Sequence, residues 1–260
     1  MAESMYRQIA EDLSRQVESG ELVPGTRLKS EVELREEYAK DGKEISRNTV
    51  RDAIKLLISR GLVETRPGQG TFVVKQVVPF LSRLTTDPED GNVEGEVYKS
   101  EVEMQGRIPK ATVPRVEVQI APDLVASQLQ LQAGTQVISR HQQRRIDGTP
   151  WSLQTTFYPM EFVTRGATQL LMAENFKDGM VKQLETSLGI KQVGWRDTII
   201  ARPPTGDERT FFELSDKVQV AVFESRRTSY DEDGNPIRFT VTVYPADRNQ
   251  FEMRAGRVPE

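Results

Sequence analysis

The stretch Ser46-Arg47-Asn48-Thr49-Val50-Arg51-Asp52-Ala53-Ile54-Lys55-Leu56-Leu57-Ile58-Ser59-Arg60-Gly61-Leu62-Val63-Glu64-Thr65-Arg66-Pro67-Gly68-Gln69-Gly70-Thr71-Phe72-Val73-Val74 decides the fold. Ser46 is a good N-cap, because its hydroxyl can accept one of the unpaired N–H groups of a first helical turn. Val50, Ala53, Ile54 and Leu57 recur at helical spacing and form one apolar stripe. Arg47, Arg51 and Lys55 fall at i, i+4 and i+8, so they share the opposite face. Gly61 stops the helix. Residues 62–65 and 71–74 then read as two strands around the turn Arg66-Pro67-Gly68-Gln69-Gly70, which makes a β-hairpin.

Two more helices precede this stretch. Met5, Ile9, Leu13 and Val17 recur every four residues, with Tyr6 and Ala10 beside them, and the helix ends near Ser19-Gly20. Pro24-Gly25 turns the chain. Ser30 caps a second helix carrying Val32, Leu34 and Tyr38, with Glu31 and Glu33 in its positive first turn. Residues 40–44 break it. Three helices followed by a hairpin is the layout of a winged helix-turn-helix. In that layout the third helix enters the major groove with its N-terminal residues leading. Arg47 and Arg51 can read guanine or grip phosphate, and Asn48 can pair with adenine. Thr49 and Lys55 suit backbone contact. The wing tip Gly68-Gln69-Gly70 lacks bulk and can approach the sugar-phosphate backbone or the minor groove. Three cations at helical spacing, taken alone, fit an ordinary solvated face. The order of cap, stop and glycine-rich hairpin favours a DNA reader.

Composition first argues the other way. The chain has 260 residues, with 35 Lys+Arg against 39 Asp+Glu, for a net charge of −4. Residues 43–75, however, hold seven basic and three acidic side chains. Attraction to phosphate depends on this local field rather than on the global sum. There is no Cys and one His, His141, which excludes disulfides, thiolate catalysis, zinc fingers and two-His metal motifs. No apolar run is long enough to cross a bilayer, and the first 20 residues carry no apolar signal core. The expected setting is cytoplasmic, without membrane contact.

Residues 76–97 read as an interdomain connection, with Pro79, Asp87-Pro88, Asp90-Gly91 and Gly95. Phe80, Leu81 and Leu84 in it could dock on either side. Beyond it lies an internal repeat. Residues 147–159 and 233–245 share Asp, Gly, Pro, Thr, Tyr and Pro at six of 13 positions. Each unit reads as helix, strand, Asp-Gly turn, strand, with helices near 122–131 and 206–214. Further helices are expected near 167–173 and 178–188. Two such units imply an antiparallel sheet with approximate twofold symmetry, an α+β domain. Alternation puts Trp151, Leu153 and Phe157 on one face with Ile237, Phe239, Val241 and Val243. Ser152, Gln154, Thr156 and Tyr158 share the other face, as do Arg238, Thr240, Thr242 and Tyr244. The apolar face should pack on helices. The polar face is either solvated or lines a cavity, and the repeated Tyr and the Arg among Thr favour a ligand surface.

These residues carry a resemblance. Tyr6-Arg7-Gln8-Ile9-Ala10, Ser19-Gly20-Glu21-Leu22-Val23-Pro24-Gly25, Leu28-Lys29-Ser30-Glu31, Ser46-Arg47-Asn48-Thr49-Val50-Arg51 and residues 61–73 resemble the GntR family of bacterial transcription regulators. The resemblance implies recognition-helix contacts at Arg47, Thr49 and Arg51 and a wing contact at Gly68. Lys29, Ser30, Asn48, Lys55, Arg66, Gln69 and Gly70 complete the expected DNA-binding set. Lys29 stands where the family usually has Pro, and Val32 where many members have a DNA-contacting Arg. Roughly four residues around 41–44 are inserted before the recognition helix.

The second half is similar to the UTRA effector-binding domain of the HutC-like subfamily. The residues that carry this are Asp147-Gly148-Thr149-Pro150, Tyr158-Pro159, Leu188-Gly189-Ile190, Asp233-Gly234-Asn235-Pro236 and Tyr244-Pro245-Ala246-Asp247-Arg248. That domain resembles chorismate lyase in fold but serves as a sensor. Members that bind phosphorylated sugars tend to have Arg-x-Arg before the first Asp-Gly and Gly-Ser opening the middle helix. Here the residues are Gln142-Gln143-Arg144 and Gly179-Met180, so a phosphate would miss one cation and one hydroxyl. The expected effector is a carboxylate or a larger amphipathic molecule rather than a sugar phosphate. The candidate ligand-binding residues are Arg144, Trp151, Gln154, Tyr158, Met180, Trp195, Arg238, Thr240 and Tyr244. Trp195 could equally be a packed aromatic, and His141 an ordinary strand residue. The acidic groups Glu208, Glu213 and 231–233 read as solvated turns or helix faces.

Taken together, residues 1–75 are expected as a winged helix-turn-helix domain, 76–97 as linker and 98–254 as an effector-binding and dimerisation domain. The expected partners are a double-stranded DNA operator, a small-molecule effector and a second copy of the chain, with no cofactor and no metal. Two other classes stay open: an enzyme of lyase-like fold acting on a small organic acid, and an architectural DNA binder. Fold likeness alone supplies no catalytic groups for the first.

Overall fold

The computed structural model describes residues 4–39, 44–74, 79–83, 94–214 and 219–253. Lys43 and Lys75 of the basic block, most of the insertion at 41–44 and the Asp-Pro and Asp-Gly turns at 87–91 lie outside the described residues. The chain divides into two compact units, one of residues 1–78 with 216–219 and one of residues 79–215 and 220–260.

The first unit is three helices and a hairpin. Helix α1 (Met5–Glu18) buries Ile9, Ala10, Leu13 and Ser14. Helix α2 (Glu31–Tyr38) opens with a capping box: the Ser30 hydroxyl accepts the Glu33 amide, and the Glu33 carboxylate accepts the Ser30 amide at 2.7 Å. In helix α3 (Arg47–Ser59) the Ser46 hydroxyl accepts the Thr49 amide, which satisfies one of the otherwise unpaired donors. Val50, Ala53 and Leu57 on α3 meet Ile9, Leu13 and Leu34 in one apolar core. Strands β1 (Val63–Arg66) and β2 (Gly70–Val73) pair antiparallel from Val63–Val73 to Arg66–Gly70 and close that core with Val63 and Val73. Each of the Val, Leu and Ile side chains, buried whole, contributes about 1.5–3 kcal/mol.

The second unit begins with β3 (Phe80–Arg83), inside the span expected to be linker. It pairs in parallel with the last strand, β11 (Asn249–Glu252). Helix α4 (Glu94–Met104) and strands β4 (Pro109–Ala111) and β5 (Arg115–Ile120) follow. Then come α5 (Asp123–Gln128), β6 (Gln136–Ile146), β7 (Thr149–Pro159), α6 (Glu161–Thr164), a 3-10 turn (Thr168–Leu171) and α7 (Gly179–Leu188). The chain ends with β8 (Gln192–Arg202), α8 (Gly206–Phe211), β9 (Val222–Asp231), β10 (Pro236–Pro245) and β11. Seven strands form one antiparallel sheet in the order β4-β6-β7-β10-β9-β8, with β5 also on β6.

The repeat explains this order. Its copies are offset by 86 residues, from 147 to 233. Where β7 pairs with β10, Thr155 stands opposite Val241, its own counterpart, flanked by Leu153–Val243 and Phe157–Phe239. An approximate twofold axis therefore passes through that pair. Helix α5 packs with Phe157, Phe239 and Val241, while Phe211, Phe212 and Leu214 of α8 and its end pack with Leu153, Val243 and Val241. Each repeat's helix thus leans on a strand of the other copy.

Three register shifts break the simple alternation, one of them in β8 between Gln192 and Gly194 and two in the repeated hairpins. The β10 register shifts between Pro236 and Arg238, so Ile237 leaves the face of Phe239 and joins Ile138, Tyr158, Phe162 and Leu184 on the opposite side. This corrects the expectation that Ile237 shares a face with Phe239, since one extra residue in a strand inverts the alternation. The β6–β7 register shifts at Arg144/Arg145, opposite Trp151. Among the described residues no helix is long and apolar enough to cross a membrane.

Candidate functional site

The first unit presents a cationic face on α3. Arg47 and Arg51, one turn apart, both donate to Glu31 in the first turn of α2, at 2.6 and 2.9 Å. Those hydrogen bonds, Arg47 first and Arg51 second, hold the Glu31 carboxyl below its ordinary range despite partial desolvation. Lys55 pairs with Asp52 at 3.1 Å, so its charge is partly offset. Asn48 is exposed between the two arginines, and the Thr49 hydroxyl bonds that of Ser46 at 2.8 Å. Lys29 pairs with Glu37 at 2.5 Å, and Ser30 is occupied as the α2 cap. On the wing, Arg66 pairs with Glu64 at 2.8 Å and lies over the Phe72 ring at 4.4 Å. Gly68 and Gly70 have φ of +71° and +117°, a backbone that side chains disfavour. A Cβ on Gly70 would also come within 2.8 Å of Arg27 Nε. Gln69 is exposed at the tip. Of the expected DNA contacts, Arg47, Asn48, Thr49 and Arg51 gather at the α3 N-terminus and Arg66, Gly68, Gln69 and Gly70 on the wing, while Lys55 lies further along α3 and Lys29 and Ser30 stand at the start of α2.

The second unit holds a cavity of about 410 Å³ on the polar face of the sheet. Gln154, Thr156 and Tyr158 of β7 floor it, with Arg140, Gln142 and Arg144 of β6 and Arg238 of β10. Helix α4 closes one side with Tyr98 and Lys99, and the loop 174–177 and the start of α7 close another. Arg144 donates to the Gln154 side chain and lies 4.9 Å over the Tyr98 ring. Tyr98 donates its hydroxyl to the Arg145 carbonyl at 2.9 Å, and burial pushes its pKa up to about 12. Arg238 donates Nε to Gln192 at 2.9 Å. Arg140 donates to the carbonyls of Leu170, Met172 and Glu174 at 2.8, 2.6 and 2.8 Å, and so fastens the loop that roofs the cavity. The Asn175 side chain accepts from Gln142 at 2.7 Å on the same loop. Helix α7 starts at Gly179, φ +72°, and no side chain caps its first amides. Amides at such an end suit an anion.

Five of the nine expected ligand residues, Arg144, Gln154, Tyr158, Met180 and Arg238, line this cavity, and four do not. Trp151 sits at the β7 bulge, buried against Phe80 and Arg107. Trp195 lies under Arg227, which pairs with Asp197 at 2.6 Å. Tyr244 packs edge-on to Phe251. Thr240 stands opposite Thr156 across β7 and β10, its hydroxyl 3.2 Å from that of Thr156. Sequence reasoning missed Arg140 and Gln142, although they alternate with Arg144 on one strand face. Tyr98, Lys99 and 174–177 carry no local signal, because chain folding alone brings them here.

The remaining candidates have local roles. His141 bonds Thr155 at 2.9 Å, and burial, with Arg115 nearby, lowers its pKa. Asp231, rather than Asp233, organises the second Asp-Gly turn by accepting the amides of Asp233 and Asn235. Glu208 caps α8 and pairs with Arg202 at 2.7 Å. Among the described residues no group of three His, Cys, Asp or Glu is placed to hold a metal ion.

Comparison with known proteins places both halves. Residues 5–73 match the bacterial regulatory proteins of the gntR family, and residues 104–250 match the UTRA domain. The mannosyl-D-glycerate transport/metabolism system repressor MngR of Escherichia coli (strain K12) is 26% identical over 254 residues, covering 97% of this chain and 96% of that protein. The transcriptional repressor NagR of Bacillus subtilis (strain 168) is 24% identical over 248 residues, covering 95% and 93%. The crystal structure of PhnF from Mycobacterium smegmatis shares the fold, with a TM-score of 0.56 at 22% identity over 95% of this chain and 99% of that one.

Proposed function

Because this chain belongs to the GntR family of bacterial regulators that carry a UTRA domain, and is a ligand-responsive transcription regulator, we propose that it is a homodimeric repressor whose effector is a small carboxylate rather than a sugar phosphate. The observation that carries this reading is the charge around the cavity. Lys99, Arg140, Arg144, Lys177 and Arg238 line it against one carboxylate residue, Glu174. Such a surface inside a chain of net charge −4 favours an anion. A planar guanidinium matches a carboxylate or a phosphate with two parallel hydrogen bonds, and Gln142 and Met180 in the lining withhold a cation and a hydroxyl that a phosphate would use. The repressor MngR supports the carboxylate, since the mannosyl-D-glycerate of its name carries one. Its name and that of NagR support repression.

In this reading α3 lies in the major groove of each half-site, with Arg47, Asn48, Thr49 and Arg51 toward the bases and the wing at Gly68 against the backbone. Twofold protein symmetry requires a roughly palindromic operator. The effector releases DNA because it binds better to the arrangement of winged units that does not fit the operator. A thermal-shift screen of full-length protein against organic acids and phosphosugars tests the effector class. Stabilisation by organic acids, with the same compounds releasing operator DNA, is the expected result. Stabilisation by phosphosugars alone would overturn it.

A further inference from the structure

Among the described residues Arg47 and Arg51 share one side-chain hydrogen-bond partner, Glu31. Glu31 Oε2 accepts from Arg47 Nε and Oε1 from Arg51 Nε, while the arginine side chains remain 64% and 47% exposed. Using Nε leaves the Nη1/Nη2 edge of each guanidinium for another acceptor, and that edge can span O6 and N7 of one guanine or two phosphate oxygens. Glu31 stands in the first turn of α2, where the helix dipole favours a carboxylate. It takes no part in the capping box, which is made by Ser30 and Glu33.

We propose that Glu31 is a positioning residue for DNA recognition, holding Arg47 and Arg51 in one register so that both present their outer edges to the groove. Two consequences follow. Flexible arginines lose conformational freedom before DNA arrives, so less is lost on correct docking. The trio also carries one net positive charge rather than two, which weakens attraction to phosphate on DNA of any sequence. Glu31 therefore raises specificity while lowering background affinity. This inference rests on the reading of α3 as the recognition helix.

The test compares two duplexes by fluorescence anisotropy on the full-length protein. One is the site it selects from a random pool, and the other is a shuffled duplex of equal composition. Glu31→Gln removes the charge and one acceptor. Glu36→Gln removes the same charge from an exposed position on the same helix. Glu31→Gln should lower the ratio of specific to shuffled affinity roughly tenfold, partly through tighter shuffled binding. It should flatten base preference at the positions lost in Arg47→Ala and also at those lost in Arg51→Ala. Glu36→Gln should leave the ratio unchanged. A ratio within twofold of wild type in Glu31→Gln, while Arg47→Ala lowers it, would overturn the proposal. If Arg47→Ala and Arg51→Ala also left the ratio unchanged, the recognition-helix reading would fall and this inference with it.

Discussion

Phe80 meets Trp151 edge-on, with ring centroids 6.1 Å apart and planes at 89°. Both are 1% exposed. Arg107 lies over the same indole at 4.7 Å and donates to Asp147 at 2.7 Å. The Phe80 amide donates to the Arg248 carbonyl, and Arg248 donates to the Pro150 carbonyl. The Phe80 ring thus ties β3, the first strand of the second unit, to the β7 bulge, while its backbone pairs with β11. Phe80→Ala should destabilise this unit by about 3–5 kcal/mol, the usual result of deleting a buried ring. Urea unfolding followed by Trp fluorescence reads it, and a loss below about 1 kcal/mol would mean the ring contact is not what holds the strand.

For the DNA face, Arg47→Ala and Arg51→Ala should each cost about 1–3 kcal/mol of specific operator binding if each grips a base edge. Lys55→Ala should instead weaken all sequences alike and lower the salt slope by about one. A salt series on operator and shuffled DNA separates the two behaviours.

In the cavity, Arg144→Ala and Arg238→Ala should each weaken the best organic acid from the screen by roughly 10–100-fold, the worth of one charge-assisted hydrogen bond. Calorimetric titration measures it. Gln143→Ala, on the same strand but outside the cavity lining, should leave the titration unchanged.

The acidic limit of stability should trace to Arg202. It pairs with Glu208 at 2.7 Å and with Glu224 at 2.5 Å, both carboxylates being nearly buried. Burial pushes both glutamate pKa values up, but the hydrogen bonds and charge of Arg202, joined by the Thr205 hydrogen bonds at Glu208 and by Arg226 at Glu224, together outweigh it and hold both below their ordinary range. A carboxyl lowered in the fold binds fewer protons there than when unfolded. Its stabilisation is complete above the ordinary glutamate range and is lost as the pH falls below it. Melting temperature should therefore fall steeply below about pH 4.5. Arg202→Met should cost about 3–5 kcal/mol at neutral pH by leaving the Glu208 carboxylate without its cation and Glu224 with Arg226 alone, and should flatten that acid dependence.

The elements with local causes were legible in the sequence. Ser30 and Ser46 cap within one turn of chain, the stripe Val50, Ala53, Leu57 repeats within three turns, and Arg66–Gly70 bends over five residues. Each signal sits inside the element it specifies, so no distant partner is needed to read it. The 86-residue repeat likewise foretold the twofold sheet, because identical turns demand identical pairing.

Enclosure of the polar face was a tertiary decision. Ser152, Gln154, Thr156 and Tyr158 alternate in the same way whether water or protein covers them. What covers Gln154, Thr156 and Tyr158 is α4, the loop 174–177 and α7, which approach from both sides along the chain. The bulges opposite Arg144/Arg145 and at Ile237 were equally invisible, since each depends on how the partner strand is registered. The joint hold of Glu31 on Arg47 and Arg51 required α2 and α3 to pack first. Periodicity and capping are properties of neighbouring residues, whereas burial, register and charge pairing belong to segments that only the folded chain brings together.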